Sequence, residues 1–235
     1  MNEAIRASAL EKGITRLCHF TPSRNLGHIA TQNQGVLATQ HLRDDEKAVL
    51  NPTDLERLDG YPDHVCCSIQ YPNAWYLRRA QEKEHLFRDW VVLLIASHYL
   101  WQPGTKFSPR NAASNHGRNV RDGAEAFEAL FAPNVEGAYG RTFRRSGSHP
   151  LWLPTDDQAE VLIPGHIQRE DILGIVVRDE PQARREAVRL EQLDAWVPQI
   201  FIAPLLFSAR QLSESLRNGD LPAEREYDLG GDDNA

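Results

Sequence analysis

A carboxamide and a carboxylate stand two residues apart, at Gln158 and Glu160, just ahead of the apolar run Val161-Leu162-Ile163 and the stop Pro164-Gly165. A short β-branched segment closed by turn residues reads as a buried strand. With a period of two, both polar side chains then point to one face of the sheet. Two readings are open. Either the pair is the solvated start of a strand, or the carboxylate faces a cleft where a partner or ligand meets it. Two more polar residues fall at expected strand edges: His19 at the end of one strand, and Arg57 ahead of another. Taken singly, each has a plain explanation as a satisfied core histidine or a solvated loop arginine.

The chain lacks the commoner sites. It has no phosphate loop with Gly-Lys-Ser/Thr, no dinucleotide fingerprint, no metalloprotease helix motif and no nucleophile elbow. Nine histidines are present without ligand spacing, so no metal is expected. Cys66 and Cys67 fall in mid-strand, where buried, inert thiols are expected.

The 235 residues are enough for one sizeable core, and 25% charged with 41% apolar residues is ordinary for a soluble globular protein. A net charge of -7 argues against a protein that coats nucleic acid nonspecifically, but not against a local basic groove. Three cysteines form no disulfide framework. With no signal pattern at Met1–Arg6 and no apolar run of membrane-spanning length, a cytoplasmic protein without membrane association is expected.

The elements that position these residues follow from patterning. Residues 1–13 read as a helix ending at Gly13, 14–20 as an alternating strand, and 22–29 as a turn into a helix. Strands are expected at 65–69, 90–96, 158–163, 171–177 and 200–202, with 90–96 buried on both faces. Helices are expected after Pro72, over 123–131, over 181–196 by apolar spacing, and over 208–217 before Gly219. Asn111-Ala112-Ala113-Ser114 is a possible helix start. The region 41–64 is polar and irregular. One α+β domain spans 1–223, and the acidic tail 224–235 is expected to be disordered.

Taken in order, several stretches resemble the DarT family of DNA ADP-ribosyltransferase toxins, within the wider ADP-ribosyltransferase superfamily. Leu17-Cys18-His19-Phe20, Asn25-Leu26-Gly27-His28-Ile29 and Gly35-Val36-Leu37 are similar to the family's opening block. Asp63 to Ile69 with Pro72 is similar to its next strand and turn, although Cys66-Cys67-Ser68 stand where that family carries bulky aromatics. Gln158-Ala159-Glu160-Val161-Leu162-Ile163 is similar to its "Q-A-E-x-L-(I/V)" catalytic strand. The resemblance covers roughly 14–190, and its specific parts are the His–Asn block and the Gln-Ala-Glu strand.

The resemblance implies a split mixed β-sheet core with flanking helices, clamping NAD+ as co-substrate. It implies Glu160 and Arg57 as catalytic residues, with Arg43 competing for the arginine role. His19, Asn25, Arg57 and Tyr71 would hold NAD+. Gln158 would address the acceptor, a thymine or guanine base of single-stranded DNA, and a cognate antitoxin such as a macrodomain-type ADP-ribosyl hydrolase would reverse the mark. Between 106 and 145, seven Lys and Arg stand against four Asp and Glu. That local excess suits a phosphate backbone, with Arg141, Arg144 and Arg145 tracking it and His149 and Trp152 stacking on bases. The alternatives are the same chemistry on RNA or protein, or a non-catalytic relative that only binds.

Overall fold

The most apolar run of the chain, Trp90–Ala96, is the strand around which the sheet is built. The computed structural model describes residues 1–31, 35–42, 57–84, 87–137 and 140–228. Among them the strands are β1 (Arg16–Pro22), β2 (Val36–Leu37), β3 (His64–Ile69), β4 (Trp90–Ala96), β5 (Lys106–Ser108), β6 (Arg121–Asp122) and β7 (Asn134–Glu136). They continue with β8 (Thr142–Arg144), β9 (Glu160–Pro164), β10 (His166–Ile167), β11 (Ile172–Val177), β12 (Ile200–Ile202) and β13 (Arg225–Glu226). The α-helices are α1 (Glu3–Lys12), α2 (Leu26–Thr31), α3 (Ala74–Lys83), α4 (Gly123–Ala129), α5 (Glu180–Gln192) and α6 (Ala209–Asn218).

Nine strands form one sheet in the order β13-β12-β11-β4-β1-β3-β9-β5-β6. Only β11 and β12 run parallel; the other neighbours are antiparallel. The strand period explains why β4 can be apolar throughout. Val91, Leu93 and Ile95 enter one core cluster, and Trp90, Val92 and Leu94 enter a second on the opposite face. Each of these buried side chains contributes about 1.5–3 kcal/mol. Helices α1, α2 and α5 supply Ile5, Ile29 and Leu190 to the first cluster, and α3 supplies Leu77 to the second. Gly13 and Gly219 end α1 and α6 in left-handed geometry.

Three expectations fail. The strand expected over 158–163 begins at Glu160, not at Gln158, which lies in a turn where its N–H is accepted by Asp156 Oδ1 at 2.9 Å. The side-chain bond of Asp156 competes with ladder pairing there. The acidic tail is also ordered as far as residue 228. Glu224 pairs with Arg16, β13 joins β12, and Tyr227 is buried. The remaining tail, 229–235, lies outside the described residues. The possible helix at 111–114 is a series of turns instead. Among the described residues no helix is long and apolar enough to cross a membrane.

Candidate active site

The sheet is split beside its centre. Strand β1 follows β4 over all seven residues, from Arg16↔Ala96 to Pro22↔Trp90, yet meets β3 only at Leu17↔Ile69 and Cys18↔Ser68. Strand β3 instead follows β9 from His64↔Pro164 to Cys67↔Val161. The two wings diverge at His19, and a cleft lined by both of them opens there. The small β2–β10 ladder borders it. Gly35 makes that ladder possible, because a Cβ there would lie 2.3 Å from the Ile167 carbonyl oxygen.

His19 bridges the point of divergence. Its Nδ1 lies 2.8 Å from the Cys66 carbonyl oxygen, which can only accept, so Nδ1 carries the proton. Burial holds its pKa below the ordinary histidine value, and the imidazole stays neutral with Nε2 as an acceptor. Asn25, at the end of the 3-10 turn Ser23–Asn25 that leads into α2, donates from Nδ2 to Thr21 Oγ1 at 2.8 Å. Its Oδ1 is buried without a hydrogen-bond partner among the described residues. An orphaned buried acceptor costs about 1–3 kcal/mol, so this position suits a ligand that brings a donor.

Across the cleft, Glu160 is 6% exposed. Its Oε1 accepts from Asn73 Nδ2 at 3.0 Å and Asn111 Nδ2 at 3.1 Å, and its Oε2 accepts from the Ala112 N–H at 2.9 Å. Burial pushes the carboxyl up to about 7; the Ala112 and Asn73 donors work against that rise, and Asp59 adds to it. The result is a fixed carboxylate in a water-poor wall. Such a group stabilises positive charge developing nearby, with little reorganisation when the charge appears.

Arg57 lies behind the same wall, 8% exposed, with its backbone at φ 38. Its Nε and Nη2 donate to Asp59 Oδ1 and Oδ2 at 3.2 and 2.8 Å, and Nη1 donates to the His64 carbonyl at 2.5 Å. Burial raises the Asp59 carboxyl, but the Arg57 fork and the Tyr61 N–H outweigh it and leave the group below its ordinary value. Cys66 Sγ touches this pair, 3.6 Å from Arg57 Nη2 and 3.4 Å from Asp59 Oδ2. Burial holds its thiol well above the usual range, so it stays protonated and unreactive.

A family model described as "ssDNA thymidine ADP-ribosyltransferase, DarT" matches residues 18–208. The chain belongs to the DarT family. Solved DarT structures share the fold. Thermus sp. 2.9 DarT in complex with NAD+ is 17% identical, with a TM-score of 0.52 over 82% of this chain and 97% of that one. The same protein in complex with ADP-ribosylated ssDNA gives 16% identity and a TM-score of 0.52 over 83% and 97%. Thermosipho africanus DarTG in complex with ADP-ribose gives 13% identity and 0.50 over 82% of this chain and 51% of that one, so the chain spans about half its length. Comparison with curated proteins returns no match.

In this DarT chain, His19, Asn25, Arg57 and Glu160 all line the cleft. Tyr71 does not. It lies on the far side of β3, its ring 6.0 Å from Trp152 and 5.5 Å from the Arg16 guanidinium carbon, because the turn at Gln70 (φ 63) swings it away. Gln158 is also outside the lining. Arg141 and Arg144 are exposed, but Arg145 is tied to the Leu153 and Pro150 carbonyls at 2.7 Å each. His149, half-exposed, is bonded to the Pro154 carbonyl at 3.0 Å, and Trp152, also half-exposed, packs against two core clusters; neither lines the cleft. Arg43 lies outside the described residues.

Sequence reasoning missed Asn73, Asn111 and Tyr76. Asn73 caps α3 through its Oδ1, which accepts from the Tyr76 N–H at 3.0 Å. The Pro72-Asn73 turn into a helix signalled that cap, but nothing local signals its long-range amide bond to Glu160. Tyr76, one turn later, lines the cleft with its ring 5.7 Å from Phe20. Asn111 opens a stretch that reads as a possible helix start but folds as turns, and nothing local signals its bond to Glu160.

Proposed function

We propose that the protein transfers ADP-ribose from NAD+ to a thymine of single-stranded DNA and releases nicotinamide. The observation that carries this reading is the Glu160 carboxylate, held by three donors in the wall of a cleft whose opposite wing offers His19 Nε2 and the orphaned Asn25 Oδ1. Those two acceptors suit ribose hydroxyls and the carboxamide of nicotinamide. Glu160 accepts from a ribose hydroxyl and opposes the positive charge that grows at C1′ as its bond to nicotinamide breaks. A base nitrogen then bonds C1′ and releases its proton to water, and Arg57 steadies the base or the diphosphate as that happens.

The exposed Arg141 and Arg144 bind the phosphate backbone, and a single strand spares the cost of extruding a base from a duplex. In the cytoplasm a cognate ADP-ribosyl hydrolase would remove the mark. The test is mass spectrometry of random single-stranded oligonucleotides after incubation with NAD+. One added ADP-ribose on thymine-containing oligonucleotides is expected, and none with Glu160→Ala. A mass shift only on RNA or protein, or none on any acceptor, would overturn the reading.

A further inference from the structure

One short turn touches Glu160 directly and reaches Arg57 through Asp59. At its start, Asn111 Nδ2 and the Ala112 N–H donate to opposite oxygens of Glu160, at 3.1 and 2.9 Å. At its end, Gly117 lies against the backbone of Asp59. A Cβ at 117 would stand 2.0 Å from the Asp59 carbonyl oxygen, and the φ of +74 is itself a glycine conformation. Asp59 is the residue that grips Arg57 through two bonds.

The turn between these ends is tied internally. The Ser114 N–H donates to the Asn111 carbonyl at 3.0 Å, the Gly117 N–H to the Ala112 carbonyl at 3.2 Å, and the Ala113 N–H to Asn111 Oδ1 at 3.1 Å. Ala112 and Val120 are buried with Leu162 of β9, and Tyr61 and Cys66 pack on that cluster. The turn is therefore wedged between the strand that carries Glu160 and the loop that carries Arg57. A packed element of this kind moves as a unit or not at all.

We propose that the turn 111–117 is a positioning element that sets Glu160 and Arg57 relative to each other, with Asn111 and Gly117 as the two places where it grips them. The inference rests on the proposed function, since turnover is what it reads. Neither residue lines the cleft; Asn111 acts through Glu160, and Gly117 through Asp59 and Arg57.

The test is a double-mutant cycle of Asn111→Ala and Gly117→Ala in the full chain, scored by kcat for ADP-ribose transfer and by thermal melting. Each single variant is expected to lose about tenfold in kcat, and the double variant also about tenfold, because residues that act as one unit are not additive. In Asn111→Ala the KM for NAD+ should stay within about twofold while the acidic limb of the pH profile moves upward, since a donor to the anion is gone. A purely structural role would not move that limb. Multiplying losses of about a hundredfold, or a single variant with unchanged kcat, would overturn the coupling. If Gly117→Ala does not fold, Asp59→Asn takes its place in the cycle, weakening the grip on Arg57 without adding an atom. An inactive wild type would overturn the proposed function instead.

Discussion

The Asn73 amide that donates to Glu160 at 3.0 Å belongs to a residue that also caps α3. Helix start and the Glu160 carboxylate are thereby joined through one side chain, 2% exposed. The two duties separate by substitution. Asn73→Ser keeps a capping oxygen but is too short to replace the amide donor, and Asn73→Ala loses both. We expect equal losses of nicotinamide release in the two variants. The alanine variant should be less stable than the serine variant by about 1 kcal/mol in urea melts, the usual worth of a cap. Equal stability with unequal activity would refute the division of roles.

Glu160 must be an anion to oppose positive charge, and burial holds its carboxyl up to about 7. The sign follows directly. Below about pH 7 the free enzyme carries a protonated Glu160, so kcat/KM should fall as pH drops and level off above. Burial lowers the pKa of His19, so its protonation enters that limb at a lower pH than an ordinary histidine's would. Glu160→Gln should lose about 10²–10⁴ in rate and show no acidic limb near 7. A pH–rate profile of both proteins, taken at low NAD+, checks this.

How much of this was legible in the residues depended on how local each cause is. The strand 160–164 and the stop at Pro164-Gly165 were readable because β-branched residues and turn residues act over a few positions. The Trp90–Ala96 strand and the Gly13 and Gly219 caps were readable for the same reason. Gln158 falls in the expected strand only if period two is carried back beyond Glu160; the Asp156 side chain takes its N–H and ends the pattern one turn earlier. The ordered tail escapes a sequence reading because Arg16 and Glu224 are distant in the chain, and composition sees only the acid. The position of Tyr71 just after β3 suggests the cleft, but the left-handed backbone of Gln70 turns it away. Contacts set by tertiary distance, such as Asn111 to Glu160, leave no trace in spacing.

The arginines before β9 divide into two kinds. Arg141 and Arg144 are exposed, whereas Arg145 donates to two carbonyls and, at 3.2 Å, to Thr155 Oγ1. Alanine at 141 and 144 together should weaken single-stranded DNA binding and reduce the salt slope by about 0.7 for each phosphate no longer neutralised. Arg145→Ala should instead lower stability by about 1–3 kcal/mol, because it strips donors from partly buried carbonyls. Fluorescence anisotropy across a salt series, beside thermal melts, separates the two. A salt slope unchanged in Arg141→Ala/Arg144→Ala would remove these residues from the DNA path.

Asp156 is 1% exposed and stands beside Asp157, in the turn that delivers Glu160 to its strand. Burial, with the neighbouring Asp157 carboxylate, pushes its carboxyl up to about 7, while the Gln158 N–H works against the rise. A folded-state value above the ordinary 3.8 means that the native state holds the proton more tightly than the unfolded chain. Stability from this group is therefore greatest below about pH 4, declines as pH rises toward about 7, and changes little above that. Asp156→Asn keeps an oxygen for the Gln158 N–H and removes the buried charge. We expect it to match the wild type near pH 4 and to exceed it at pH 8 by on the order of 1–3 kcal/mol, less than the full shift because the turn can relax. Urea melts at pH 4, 6 and 8 measure the difference. A gain that is constant with pH, or a loss at pH 8, would show that the charge is accommodated in the folded turn.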